Sequence, residues 1–205
     1  MTILQKIIAH KKNEPAALKE NLAIRSLENN ELFSRKTLSL SDSVLNPARS
    51  GIIAEFKRKS PSKGIINSQV QVGEVTLGYN RAGASGLSIL SDGKFFGGSC
   101  NDLLLARELN SIPILRKDFI IDEFQVIESK AYGADAILLI AAVLDKKQVF
   151  KLAKLSYSLS MEVLLEIHSA RELIMINDYV KIIGINNRDL NTFRLNTKIS
   201  FEVST

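Results

Sequence analysis

Short apolar runs alternate with longer stretches of helical periodicity from residue 51 onward. Several of these runs are apolar at nearly every position, which is typical of strands in a parallel sheet that helices cover on both faces. Six strands are predicted in this way, at residues 51–56, 86–90, 112–115, 136–140, 162–167 and 181–185. A unit of strand, loop and helix therefore repeats about six times along the chain.

Helix signals occupy the intervals between the predicted strands. Phe124, Ile127 and Ala131 share one face of a helix, and Gly133 stands where that helix should end. Asp145 is the expected N-cap of the next helix. This alternation restricts the fold to a doubly wound open sheet or a (β/α) barrel.

The positions of glycine and of polar residues favour the barrel. A dinucleotide-binding open sheet has a glycine-rich turn after its first strand, whereas residues 57–64 contain only one glycine. Polar and charged residues follow the carboxyl ends of successive predicted strands, which is where barrels place their chemistry. We therefore predict an α/β protein built as a (β/α) barrel.

The first fifty residues differ in character from the rest. Their helical signals are an apolar stripe and two further stretches: Ile3, Leu4, Ile7 and Ile8, then residues 15–22 and 27–38. Residues 39–50 are typical of a linker. We expect residues 1–50 to form a helical extension that covers one end of the barrel, and residues 51–205 to form a partial barrel that is the catalytic domain.

Composition limits the classes of protein. With 45% apolar and 24% charged residues, a chain of 205 residues can bury a substantial core, and disorder is excluded for most of it. The longest apolar run, residues 136–144, is far short of the roughly 20 residues that cross a bilayer. A lysine interrupts the apolar start of the chain and no small-residue cleavage site follows, so we expect a cytoplasmic protein without a secretory signal.

Charge and side-chain chemistry point to a small anionic ligand. The net charge of +5 is scattered, only 6% of residues are aromatic and there is no tryptophan, so nucleic-acid binding is disfavoured. A single cysteine, Cys100, and two histidines leave little for a disulfide or a zinc site. Any chemistry must therefore come from lysines, carboxylates and amides.

Candidate groups stand at the ends of the predicted strands. Glu55 and Lys57 share one side of the first strand, and they are expected to point into the mouth of the barrel, although an ordinary ion pair at a strand edge is the alternative. Lys117 follows an apolar strand beside an acid and an aromatic residue, as a general acid or as a snorkelling lysine. Glu166 ends the fifth strand on the same side as Glu162.

In combination, four segments resemble indole-3-glycerol phosphate synthases. In order, they are IAEFKRKSPS at 53–62, LRKDF at 115–119, LLEIH at 164–168 and GINNRDL at 184–190. The likeness extends from near the first residue to near the last. It implies a (β/α)8 TIM barrel with an amino-terminal helical extension. The implied carboxy-lyase reaction of tryptophan biosynthesis converts 1-(2-carboxyphenylamino)-1-deoxyribulose 5-phosphate to indole-3-glycerol phosphate, carbon dioxide and water.

The resemblance also implies roles for individual residues. Lys117 would be the general acid, Lys57 would hold the substrate carboxylate, Glu55 would orient the lysines, and Glu166 would take or relay a proton during dehydration. The group that serves the dehydration step stays open among Glu166, Glu55 and Lys57. The implied substrate-binding residues are Ser60 for the phosphate, Phe96, Phe119 and Leu138 for the anthranilate ring, and Asn186 with Arg188 for the sugar.

The resemblance implies an anionic sugar-phosphate substrate and no metal or organic cofactor. It implies neither a nucleic-acid nor a membrane partner. We expect a monomer or weak homodimer that can associate with other tryptophan-pathway enzymes.

The carboxyl end departs from the family pattern. The chain stops at Thr205, within about six βα units, whereas the family continues with two more strands and a glycine-rich phosphate loop. We expect the sequence to be part of a longer active synthase. The alternatives are an inactive barrel fragment that binds anions or a partner chain, and a nucleic-acid binder.

Overall fold

A computed structural model describes residues 1–21, 24–189 and 195–204. Leu22 and Leu190, each of which ends a segment discussed above, lie outside the described residues, as does Thr205.

The described residues include eight strands: β1 (Ile53–Phe56), β2 (Lys59–Ser60), β3 (Gly64–Ile65), β4 (Gly86–Leu90), β5 (Ile114–Lys117), β6 (Ala136–Ile140), β7 (Glu162–Ile167) and β8 (Ile182–Ile185). Six of them form one sheet in the order β1-β4-β5-β6-β7-β8, and every pairing in it is parallel. Strands β2 and β3 form a separate antiparallel hairpin. The predicted α/β barrel is confirmed, with six strands of a (β/α)8 barrel in the described part of the chain.

The helices of the described residues are α1 (Ile3–Asn21), α2 (Ile24–Glu28), α3 (Glu31–Ser34), α4 (Leu40–Leu45), α5 (Val72–Arg81), α6 (Gly93–Phe96), α7 (Cys100–Leu109), α8 (Glu123–Ala131), α9 (Lys146–Ser158) and α10 (Lys198–Ser204), with a 3-10 helix at Ala170–Met175. Asp145 caps α9 through a capping box, and Gly133 follows α8 with a φ of 85°, so these two helix signals are confirmed. Asp122 caps α8 through a second capping box, which was not predicted. In the part of the chain that the structure describes, no helix combines the length and apolar character needed to cross a membrane.

The amino-terminal segment folds differently from the prediction at two places. Helix α1 continues through Pro15, where a second helix was expected to begin. The expected linker at 39–50 contains α4, which Ser39 caps by accepting a hydrogen bond from the Asp42 amide. Helix α4 forms because Leu40, which is fully buried, packs against the sheet, a tertiary contact that local turn signals do not reveal.

Strand β5 begins and ends two residues later than predicted. The predicted strand ended at Leu115, yet Arg116 and Lys117 pair with Ile89 and Leu90 of β4. Their side chains point to opposite faces of the sheet, where Arg116 pairs with Glu128 and Lys117 faces Glu166. The charges of Arg116 and Lys117 therefore do not end the pairing of β5 with β4.

Two apolar clusters divide the side chains of the parallel sheet between its faces. On the helix face, alternate residues of the strands, such as Ile89, Leu139 and Leu165, pack under the helices. The opposite side, which we call the cavity face, carries a second cluster that includes Leu138 and Leu115 and receives side chains from α1 and α4. Helices α1 and α4 thus pack on the same face of the sheet.

Helix α4 is fastened at the amino ends of the strands by one carboxylate. Glu162, the first residue of β7, accepts hydrogen bonds from Ser39 Oγ at 2.7 Å and from the Ser41 amide and Oγ, both at 2.8 Å. Glu162 and Glu166 share the cavity face, as the alternation predicts, but they stand at opposite ends of the strand. The amino end of the sheet is therefore closed by polar contacts that are separate from the groups at the carboxyl end.

Candidate active site

A cavity of about 370 Å³ opens at the carboxyl ends of the parallel strands. Its wall includes all ten residues selected from the sequence: Glu55, Lys57, Ser60, Phe96, Lys117, Phe119, Leu138, Glu166, Asn186 and Arg188. They come from β1, β2, β5, β6 and β7, from α6, and from the segments that follow β1, β5 and β8. The parallel topology brings them together because every strand ends at the same rim.

Glu55 and Lys57 form an ion pair at the end of β1. Their neighbours Ala54 and Phe56 belong to the helix-face cluster, so strand alternation directs both charged side chains to the cavity. The side chains are 33% and 30% exposed, which makes both accessible to a ligand that enters the cavity.

Lys117 and Glu166 face each other from β5 and β7, with Lys117 Nζ 4.0 Å from Glu166 Oε2. The other oxygen, Oε1, accepts a hydrogen bond of 3.1 Å from Asn186 Nδ2, and His168 Nε2 lies 3.5 Å from it. Asn186 Oδ1 in turn accepts a hydrogen bond from the Arg188 amide at 2.9 Å. One oxygen of Glu166 is therefore held in place while the second is directed toward the lysine.

Aromatic and aliphatic side chains form an apolar part of the wall. The rings of Phe96 and Phe119 lie with their centroids 6.2 Å apart, and Leu138 of β6 is almost fully buried nearby in the cavity-face cluster. An apolar surface beside converging charged groups is suited to a ligand that combines a flat ring with anionic substituents.

The hairpin formed by β2 and β3 brings hydroxyl and amide groups to the rim. Ser60 Oγ accepts a hydrogen bond from the Lys63 amide at 3.2 Å and lies 3.4 Å from Ser62 Oγ. These three residues line the cavity together with Arg188. The two cations and two hydroxyl groups that these residues bring to the cavity wall are suited to binding an anion.

Several wall residues were missed by the sequence reasoning. Ile3, Leu4 and Ile7 of α1 line the cavity; the helical extension was expected to cover one end of the barrel, but these residues were not expected to form part of the site. Asp92 and Asp118 also line the wall. Their signal was a carboxylate just beyond a predicted strand, which in one sequence cannot be told from a helix cap.

Asp118 is held in its ionised form by its neighbours. Burial raises the pKa of this carboxyl group, but the charges of Arg116 and Lys11 and a hydrogen bond from Ser91 lower it to about 2. Arg116 Nη2 lies 3.1 Å from Asp118 Oδ2, and Ser91 Oγ donates to the same oxygen at 2.6 Å. The residue that follows Lys117 is thus a fixed negative charge.

Comparison with known proteins gives one family along almost the whole chain. Residues 4–204 match the family model described as "Indole-3-glycerol phosphate synthase". An indole-3-glycerol phosphate synthase of Bacteroides thetaiotaomicron is 48% identical over 204 residues, which are 98% of this chain and 77% of that protein. The Neisseria meningitidis serogroup B protein of the same name is 41% identical over 94% of this chain and 76% of its own length. The Prochlorococcus marinus protein is 39% identical over 98% and 69%, respectively.

Proposed function

Because this chain belongs to the indole-3-glycerol phosphate synthase family, we propose that its reaction takes place in the cavity at the carboxyl ends of the strands. The reaction closes an indole ring on 1-(2-carboxyphenylamino)-1-deoxyribulose 5-phosphate, with loss of carbon dioxide and water, and it belongs to tryptophan biosynthesis. The convergence of Glu55, Lys57, Lys117 and Glu166 on one cavity carries this proposal.

The chemistry requires a proton donor at the ketone of the substrate. A ring carbon of the anilino group attacks this ketone, whose oxygen becomes an alkoxide unless a general acid lies within hydrogen-bond distance. We assign this role to Lys117, because its ammonium group lies on the cavity face and has the Glu166 carboxylate at 4.0 Å to orient it. The carboxylate then leaves as carbon dioxide, and the electron pair of the broken bond returns to the ring and restores its aromaticity. The anilino nitrogen supplies the electrons for the initial attack, so this chemistry needs neither a metal nor an organic cofactor.

Lys57 and Glu55 are assigned to the substrate carboxylate. The Lys57 ammonium group is paired with Glu55 and partly exposed, so it can exchange part of that contact for the carboxylate of an incoming ligand. Glu55 would keep the ammonium group on the cavity side of β1 and would itself accept a hydrogen bond from a substrate hydroxyl group. Binding the carboxylate this way also bends the substrate toward ring closure.

Glu166 is assigned to dehydration. The hydroxyl group left by ring closure must depart as water, and the ring system must give up a proton to become aromatic. Glu166 has one oxygen fixed by Asn186 and the other directed at Lys117, so it can exchange a proton with the substrate while keeping its position.

The remaining wall residues are assigned to binding. The apolar surface of Phe96, Phe119 and Leu138 would hold the anthranilate ring, and Ser60 would contact the phosphate group. Asn186 and Arg188 would steady the sugar and the carboxylate of Glu166.

Organisation beyond the site is part of the proposal. We assign residues 1–50 to a helical extension and residues 51–205 to the catalytic partial barrel, with the extension closing the cavity through α1. We also propose a cytoplasmic protein that works as a monomer or weak homodimer and can associate with other enzymes of the pathway.

The experiment is a direct assay of the purified protein and of Lys117→Met. We expect Lys117→Met to lower kcat by about 10²–10⁴-fold, the usual contribution of a general acid, while the Kd for indole-3-glycerol phosphate changes less than about tenfold. Lys154→Met, which alters an exposed lysine of α9, is the matched control and should retain the activity of the unaltered protein. Absence of turnover in the unaltered protein would contradict the function, and near-normal turnover of Lys117→Met would contradict the role of Lys117.

A further inference from the structure

Lys11 is a buried lysine that belongs to the amino-terminal helix rather than to the barrel. Only 2% of its surface is exposed, although it lies in the middle of α1, between the half-buried His10 and the exposed Lys12. Its Nζ lies 2.9 Å from Asp118 Oδ1, 3.2 Å from Asp92 Oδ2 and 2.5 Å from Glu14 Oε2. A lysine is rarely buried without a compensating partner, so three carboxylates around one ammonium group require an explanation.

The two barrel carboxylates that Lys11 contacts hold the cavity wall. Asp92 caps α6, and its Oδ1 accepts hydrogen bonds from the Phe95 amide at 2.6 Å and the Phe96 amide at 3.2 Å. Through this cap, Asp92 fixes the backbone of a residue in the apolar wall.

Asp118 has a similar position on the other side of Lys11. It follows Lys117 directly, and its Oδ1 accepts a hydrogen bond from the Phe119 amide at 2.8 Å. The Lys11 ammonium group therefore links α1 to the N-cap of α6, which carries Phe96, and to the residue between Lys117 and Phe119 at the end of β5. Nothing in the reaction requires Lys11 to touch the substrate.

The charges around the cavity give this contact a second consequence. The side chains that line the cavity include four cations and four carboxylates: Lys57, Lys63, Lys117 and Arg188, then Glu55, Asp92, Asp118 and Glu166. A substrate with a phosphate and a carboxylate group would meet no net attraction from such a wall. Lys11 neutralises charge on Asp92 and Asp118 from behind, and Arg116 does so for Asp118. Glu14 and Glu128, which pair with Lys11 and Arg116 in turn, do not line the cavity. With Asp92 and Asp118 paired, the four cations of the wall are opposed at the cavity surface mainly by Glu55 and Glu166.

We propose that Lys11 is a positioning residue that closes α1 over the cavity and cancels the negative charge of Asp92 and Asp118, so that the cavity accepts a doubly anionic ligand. This inference rests on the proposed function for the identity of the ligand. It predicts that removing the ammonium group weakens binding more than it slows the chemical step, because the reacting groups keep their places on the strands.

The test compares Lys11→Met, Lys11→Arg and Lys6→Met for binding of indole-3-glycerol phosphate and for turnover. Methionine keeps most of the length of the side chain without its charge, and Lys6 is an exposed lysine of the same helix that serves as the matched control. We expect Lys11→Met to raise Kd and KM by about tenfold or more and to lower kcat by less than about threefold, in keeping with the loss of a buried charge contact. Lys11→Arg and Lys6→Met should stay within about threefold of the unaltered protein. Unchanged Kd and KM in a folded Lys11→Met protein would overturn the proposal.

Two readouts separate this role from simple support of the fold. In Lys11→Met, Asp118 loses a cation that lowers its pKa, so this pKa should rise and lowering the pH should restore part of the affinity relative to the unaltered protein. The double variant Lys11→Met, Asp92→Asn should likewise recover at least about threefold of the lost affinity, because one of the uncompensated charges is gone. A helix that is merely unfastened would recover nothing in either case, and that result would remove the electrostatic part of the proposal.

A measurement on the unaltered protein covers the case in which Lys11→Met does not fold. Saturation with indole-3-glycerol phosphate should slow hydrogen exchange at the amides of residues 6–12, because the ligand favours the closed position of α1. Unchanged exchange with ligand bound would overturn the proposal. If the unaltered protein neither binds nor converts the substrate, the proposed function itself has failed. If the unaltered protein both binds and converts the substrate, and the Lys11 variants have the same Kd, KM and kcat, only this inference has failed.

Discussion

Asn186 shows how a residue without acid or base chemistry can control one that has it. Its amide group donates to Glu166 Oε1, and its own oxygen is fixed by the Arg188 amide. His168 lies near the same carboxylate oxygen, yet both of its ring nitrogens are buried without a hydrogen-bond partner among the described residues. The orientation of Glu166 therefore depends mainly on Asn186.

We expect Asn186→Ala to lower kcat by about tenfold or more with a smaller change in KM, because a hydrogen bond to a charged group contributes about 1.5–3 kcal/mol. Steady-state kinetics measure the two parameters separately. Asn29→Ala, at an exposed position in the turn after α2, is the matched control. A rise in KM at constant kcat would show that Asn186 binds the substrate and does not position Glu166.

Single residues also mark the limit of prediction from sequence. Glu55, Lys57, Lys117 and Glu166 could be found because each lies at or just after the end of a predicted strand, whereas Phe96 and Leu138 were implied only by the resemblance to the family. The parallel topology brings all ten candidates to one cavity. Lys11 could not be found in that way. Its sequence neighbours are those of a solvated helix, and its partners Asp92 and Asp118 are about 80 to 110 residues away, so only the packing of α1 brings the three groups together.

At the scale of elements, the turn between β4 and α7 is the most tightly constrained segment beside the cavity. A Cβ atom on Gly98 would lie 1.9 Å from the carbonyl oxygen of Leu90, and the Gly98 amide donates to the Asp92 carbonyl oxygen at 2.9 Å. Both contacts are with backbone atoms, which cannot move aside as a flexible side chain would. The turn also contains α6, whose Phe96 lines the apolar wall.

We expect Gly98→Ala to lower the free energy of unfolding by about 3 kcal/mol, near the upper end for single substitutions, because the turn must open to admit the methyl group. Gly78→Ala is the matched control. Its Cβ would meet nothing within 4 Å in the exposed side of α5, so it should raise the free energy of unfolding by about 0.5–1 kcal/mol. Urea unfolding of both variants measures these values, and equal stabilities would contradict the account of the turn.

Elements were predicted best where apolar periodicity decides them. Strands β4, β6 and β7 have the predicted bounds because short runs rich in apolar residues mark them in the sequence. Strand β5 was displaced because Arg116 and Lys117 continue the ladder in spite of their charge. Helix α4 was missed because one turn of helix in a polar segment forms only when the sheet is present to bury Leu40.

For the whole molecule, buried charge makes stability depend on pH. The pKa of Asp118 is lowered from its ordinary value of 3.8 to about 2 in the folded protein. A folded-state pKa below the unfolded-state pKa means that the unfolded chain binds the proton first as the pH falls. The stabilisation is therefore complete above about pH 5 and is lost progressively between about pH 4 and pH 2.

The unfolding free energy should include a contribution from Asp118 that falls by about 1 kcal/mol between pH 7 and pH 3 and by about 2 kcal/mol at pH 2. The measurement is urea unfolding at several pH values for the unaltered protein and for Asp118→Asn, whose slope with pH should be smaller by that amount. Asp178→Asn, at an exposed position, should keep the slope of the unaltered protein. If the free energy of unfolding depended on pH in the same way in all three proteins, this role of Asp118 would be refuted.

The contacts of Glu162 with Ser39 and Ser41 lie about 13 Å from Glu166, four strand residues away on the same face of the sheet. Substitutions that alter thermal stability at the amino ends of the strands can consequently be selected independently of substitutions that alter substrate specificity at the carboxyl ends. Directed evolution that strengthens the contacts of Glu162 with Ser39 and Ser41 should therefore raise the melting temperature of the protein. Its kcat at ordinary temperature should stay the same as that of the parent.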